Sequence, residues 1–151
     1  MKTGSRSFVA HLVGLLAAGV AALTLLASAH ASPFDSADEK NVRSVVQGQL
    51  AALAKDDAAR AFSFAAGNVR EAVGSASAFL AMVRRDYPMV YRPASVAFLK
   101  PELKGDQVIQ RVQMLDAGGN AWLAIYSLQR QKNKEWRITG CAVVENKGRM
   151  A

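Results

Sequence analysis

Seven side chains in this sequence have the types and spacing to do chemistry. Asp86 and Tyr87 adjoin within the stretch Phe79 to Pro93, and Tyr91 and Arg92 follow one helical turn later. Arg111, Trp122 and Tyr126 stand in alternating apolar segments further on. An aspartate with a phenol, Asp86 with Tyr87 or Tyr126, is the pair an isomerase or dehydratase uses. The carboxylate abstracts a proton if burial raises its pKa, and the hydroxyl donates to the developing oxyanion. The other chemistry is holding a ligand without transforming it. Tyr87, Tyr91, Trp122 and Tyr126 would wall a pocket, with Arg92 or Arg111 fixing a polar group. Arg111 interrupts an apolar strand, so it requires a carboxylate, a ligand anion or open solvent. Pairing with Asp86 would make it structural.

Several chemistries are excluded once the first residues are read. Lys2 and Arg6 precede an uncharged apolar run from Leu12 to Leu26, and Ala29-His30-Ala31 supplies the small residues a signal peptidase reads. Residues 1–31 therefore read as a secretory signal, and residues 32–151 as a single exported domain, periplasmic in a double-membrane bacterium and otherwise secreted. Counted from Phe8 to Ala29, the run reaches membrane-spanning length, so an uncleaved anchor is the alternative and the only membrane contact expected. Cleavage before Ser32 removes both histidines, His11 and His30, and lowers the net charge from +7 to +5. The mature chain then has no Ser-His-Asp or Cys-His catalysis and no imidazole metal ligand. No metal or other cofactor is expected. Asp56-Asp57 falls at a helix junction, where capping explains it better than metal binding. Cys141, the one cysteine, cannot form an internal disulfide and reads as a small buried hydrophobe in the last strand. The basic residues are scattered and carry no aromatic-basic motif, which excludes nucleic acid as a partner. Arg84-Arg85 reads as a solvated helix face.

The elements that must position these residues change character near Pro93. Ser36-Ala37-Asp38-Glu39 has capping-box spacing, and Val42, Val45, Val46, Leu50 and Leu53 recur at helical period behind it. A short helix follows over Ala58, Ala61, Phe62 and Ala65, then breaks at Gly67-Asn68 and Gly74 to Ser77. A third helix carries Phe79, Met82, Val83 and Tyr87 on one face and closes at Pro88. From Ala94 the period becomes two. Val96 and Phe98 mark one strand, and Pro101 to Asp106 is a loop. Val108, Gln110, Val112 and Met114 share a face, and so do Trp122, Ala124, Tyr126 and Leu128 across the hairpin Asp116 to Asn120. Trp136, Ile138, Gly140, Ala142 and Val144 alternate with Arg137, Thr139, Cys141 and Val143 in the last strand. Three helices on one side of a four-stranded antiparallel meander make an α+β domain. The last two strands carry apolar residues on both faces, which predicts a homodimer through the sheet.

These residues also carry a resemblance. The opening helix with Leu-Ala-Ala-Leu-Ala-Lys-Asp-Asp-Ala-Ala-Arg-Ala-Phe and the closing Trp136-Arg137-Ile138 resemble the nuclear-transport-factor-2-like superfamily. Across residues 36–145 the chain resembles a family of small exported bacterial proteins described as a domain of unknown function (DUF4864). The matching pieces include Phe79 to Arg85, Tyr87-Pro88, Tyr91-Arg92-Pro93, Gly119 to Tyr126 and Trp136 to Cys141. The resemblance implies a cone-like (cystatin-like or nuclear-transport-factor-2-like) fold with a pocket at its open end, and implies no activity. A non-catalytic module binding a small molecule or a protein partner is the expected function, with the Asp86 enzyme as the alternative.

Overall fold

The computed structural model of the chain describes residues 34–148. The expected leader and the expected start at Ser32 lie outside the described residues. The first helix, α1 (Ser36–Ala54), begins one residue before the expected box. Asp35 is its N-cap, accepting from the Asp38 N–H at 2.9 Å, while the Asp38 carboxylate accepts from the Asp35 N–H at 3.4 Å. This shift makes Asp38 the acid of the capping box through Oδ2 and leaves its Oδ1 for a second task. Only 8 % exposed, it is the buried acid that joins the helix to the sheet. Its carboxylate meets the Arg130 guanidinium and accepts from the Trp136 indole N–H at 3.4 Å. Arg130 lies over the Trp136 ring at 4.9 Å, and Phe34 meets that ring edge-on at 6.0 Å. Val42, Val46 and Leu53 are fully buried, as their period requires.

Asp56, in the left-handed region at φ 57°, turns the chain. Asp57 then caps α2 (Ala58–Ser63) by accepting from the Arg60 N–H at 3.0 Å. Among the described residues there are five helices where the period indicated three. The segment between the two sequence breaks is itself helical, α3 (Gly67–Val73), with Val69 and Val73 one turn apart against the core. Ser75 caps α4 (Ala76–Asp86). Pro88 closes that helix and opens a new one-turn helix, α5 (Pro88–Tyr91), because proline suits the first helical position.

The sheet runs β1 (Ser95–Phe98), β2 (Glu102–Lys104), β3 (Gln107–Leu115), β4 (Ala121–Arg130) and β5 (Trp136–Glu145). The order is β1-β3-β4-β5, with β2 also pairing β3, and all pairs are antiparallel. The stretch read as a loop thus contributes a fifth strand, because Gly105 at φ 62° turns β2 back onto β3. The sheet is curved and unclosed, with the helices on its concave face. Asp116 organises the β3–β4 hairpin. Its carboxylate accepts from the Trp122 indole, the Asn120 side chain and the Asn120 and Gly118 N–H groups. Those bonds, the Trp122 indole first, hold its pKa at about 2.

One further difference sets the geometry of the concave face. Ser127 pairs Gly140 but Leu128 pairs Ile138, so β5 holds one extra residue at a bulge. Trp136 and Ile138 point inward, and then the phase reverses. Cys141 faces with buried Tyr126 and Val143 with buried Ala124, while Ala142 and Val144 turn outward. Among the described residues no helix is long and apolar enough to cross a membrane.

Candidate functional site

Where α1, α4 and the concave side of β4 and β5 meet, they leave a cavity of about 120 Å³. Gln49 and Leu53 come from α1, on the stripe that Val42, Val46 and Leu50 define. Phe79, Met82 and Val83 come from α4, and Tyr87 flanks them at the α4–α5 junction. The floor is Tyr126 and, past the bulge, Gly140 and Cys141. A straight β5 would turn Cys141 away. No Asp, Glu, Lys, Arg or His lines this cavity among the described residues.

Tyr126 is its chemical centre. The residue is 1 % exposed, and its hydroxyl makes no hydrogen bond of good geometry among the described residues, the Cys141 sulfur beside it being only a weak acceptor. Buried polar groups are ordinarily satisfied, because an unmade bond costs about 1–3 kcal/mol. Burial pushes its pKa well above the phenol range, so the group stands as a neutral donor. Gln49, 4 % exposed, donates from Nε2 to the Ala61 carbonyl at 3.2 Å.

Cys141 departs from its expected role as a buried hydrophobe: the residue is open to solvent. Its thiol is nevertheless ringed by the cavity wall, and that surrounding pushes it up to about 12, against the smaller opposing effect of the Tyr126 hydroxyl. A thiol held protonated is a poor nucleophile. Iodoacetamide at pH 8 is expected to alkylate native Cys141 at least about tenfold more slowly than the urea-unfolded chain. Equal rates would show an ordinary thiol. The sign of the linkage follows: the folded state keeps a proton that the unfolded state loses, so stability falls as pH rises from about 8.5 toward 12.

Of the other residues singled out from sequence, only Tyr87 joins Tyr126 at the cavity. Asp86 is exposed at the end of α4 and held by Arg85 at 2.7 and 2.8 Å. The hydrogen bond from that guanidinium lowers its pKa, the reverse of what a general base in a cavity needs. Tyr91 and Arg92 gather on the surface around Asp56. The Tyr91 hydroxyl donates to one carboxylate oxygen, Arg92 reaches the other at 3.2 Å, and Arg92 and Arg84 both lie over the Tyr91 ring. Arg111 lies on the convex face in the row with Ile109 and Gln113, and its partner is Glu102 at 2.9 Å, not Asp86. Trp122 is on the concave side, but its indole is engaged by Asp116 at 2.9 Å, away from the cavity. Gln49 and Cys141 were missed by sequence reasoning. Gln49 was detectable as the polar member three residues after Val46 on an apolar stripe; Cys141 was not, because its direction depends on the bulge.

The model of the family described as "Domain of unknown function (DUF4864)" matches residues 35–151. Among solved structures, the crystal structure of an NTF-2 like protein of unknown function from Silicibacter pomeroyi DSS-3 is similar in fold. Its TM-score is 0.51 at 16 % sequence identity, over 71 % of this chain and 94 % of that one. The comparison with curated proteins finds no match.

Proposed function

This chain belongs to the DUF4864 family, and within it we propose a non-catalytic binding module that takes a small molecule into the cavity under α1 and α4. The Tyr126 hydroxyl carries this reading: it is buried in a largely apolar enclosure whose other polar members are the Gln49 amide, donating to the Ala61 carbonyl, and the Cys141 thiol. A buried donor without an acceptor costs stability, and a ligand oxygen in the cavity would complete it. The isomerase-like alternative needs a carboxylate in the cavity, and Asp86 stands outside it.

Two further parts complete the proposal. Residues 1–31 direct export, on the strength of their charged start, apolar run and Ala29-His30-Ala31 site. A second copy covers the convex face, where Leu115, Leu123 and Ile125 are half-exposed and Val144 is 47 % exposed.

Native mass spectrometry of the protein from the envelope fraction of its own cell, at about 10 μM, tests all three parts. The expected spectrum shows a dimer of chains beginning at Ser32, each retaining a small molecule. Met82→Trp, at a half-buried wall position, is expected to lose that molecule while melting within a few degrees of the parent. A ligand-free protein that also binds no small probe would overturn the binding reading. A monomer would remove the dimer, and an intact residue 1 would remove cleavage.

A further inference from the structure

The cavity's chemistry restricts what it can hold. We propose that its ligand is a neutral, ring-sized, mostly hydrocarbon molecule with one oxygen acceptor, and that the Tyr126 hydroxyl donates to that oxygen. This rests on the binding reading above and assigns the ligand class and the selecting residue.

Three observations converge. First, no ionised side chain lines the cavity among the described residues. The cations that sequence reasoning would enlist are committed elsewhere, Arg92 to Asp56 and Arg111 to Glu102. A carboxylate or ammonium entering the cavity would lose its hydration and meet no counter-charge, which is far costlier than burying a neutral group. Second, the hydroxyl of Tyr126 is enclosed and has no oxygen or nitrogen acceptor within hydrogen-bond geometry among the described residues. Its side chain rises from β4 and its cross-strand neighbour Cys141 keeps its proton, so no carboxylate or thiolate competes as acceptor. A ligand oxygen, a far stronger acceptor than the neighbouring Cys141 sulfur, therefore takes the hydroxyl's bond. Third, about 120 Å³ walled by Leu53, Phe79, Met82 and Val83 is near the size of the roughly 150 Å³ apolar cavity that accepts benzene. The wall rewards hydrocarbon surface, and the single hydroxyl fixes orientation.

Three matched six-membered rings test this on the full chain by calorimetry or ligand-observed NMR: cyclohexanone, methylcyclohexane and cyclohexanecarboxylate. Cyclohexanone is expected to bind at least about tenfold more tightly than the carboxylate. Tyr126→Phe is expected to weaken cyclohexanone by about three- to tenfold, the worth of one hydrogen bond, and to leave methylcyclohexane unchanged. The same substitution removes a buried unsatisfied hydroxyl, so its melting temperature is expected to hold or rise. Tightest binding of the carboxylate, or a Tyr126→Phe variant that binds the ketone as the parent does, overturns the inference while leaving the cavity reading intact. Binding of none of the three overturns both.

Discussion

Asp38→Ala is expected to lower the stability of the domain by about 2–4 kcal/mol, measured by urea denaturation. The carboxylate simultaneously closes the α1 cap with Asp35, meets Arg130 and receives the Trp136 indole N–H. Loss of the cap alone costs about 1 kcal/mol. The larger part comes from Arg130, which would stay against the Trp136 ring without a counter-charge. Its side chain is 34 % exposed against 12 % for Asp38, so water recovers some of that cost and the loss stays below the extreme for a fully buried pair. Asp38→Asn keeps the size and some of the hydrogen bonding, so a smaller loss is expected. A loss under about 1 kcal/mol for Asp38→Ala would mean the network merely decorates the surface. The result bears on function because this network anchors the start of α1, whose far end supplies Gln49 and Leu53 to the cavity.

Leu53→Ala is expected to cost about 3 kcal/mol and to change what the cavity admits. Leu53 is fully buried and forms part of the cavity wall. Truncating it removes apolar contact on its core side and leaves space that neighbours fill only in part, the combination that makes buried leucine truncations cost about 2–5 kcal/mol. That is a large share of the roughly 5–15 kcal/mol of a whole domain. Because the new space adjoins the existing cavity, rings larger than cyclohexanone are expected to gain affinity over the parent protein. Leu103→Ala is the control: Leu103 is 53 % exposed on β2, and less than about 0.5 kcal/mol is expected there. Denaturation together with a series of ring probes reads both effects. A stability loss without a shift in ring preference would place Leu53 in the core but off the ligand.

Much of the framework was legible because it is local. The period of Val42, Val46, Leu50 and Leu53 places α1, Asp57 and Ser75 mark helix starts, and Asp116 to Asn120 marks the hairpin. Alternation in β3 and β4 puts Val112 with Met114, and Ala124 with Tyr126, on shared faces, and those faces are buried. The family resemblance and the α+β fold stand on the same residues. Short elements escaped because one turn of helix or three residues of strand carry too little period to register. α5 and β2 are of that kind. The α1 cap was misplaced by one residue because Asp35 and Ser36 both suit an N-cap. The choice falls to Asp35, which pairs with Asp38, the acid that Arg130 and Trp136 engage from 92 and 98 residues away.

By itself, then, the amino-acid order determined which segments coil and which extend, where they are punctuated, and which apolar rows must be hidden, since backbone preference and side-chain period act over a few residues. Tertiary structure alone decided the site. One extra residue in β5 reversed the facing of Cys141, and register brought Glu102 to Arg111. The turn at Asp56 drew Tyr91 and Arg92 to the surface, leaving Tyr126 buried with a proton to donate. A charge is satisfied by whichever opposite charge the fold brings within reach, and that neighbour is fixed by register and turns, not by proximity along the chain.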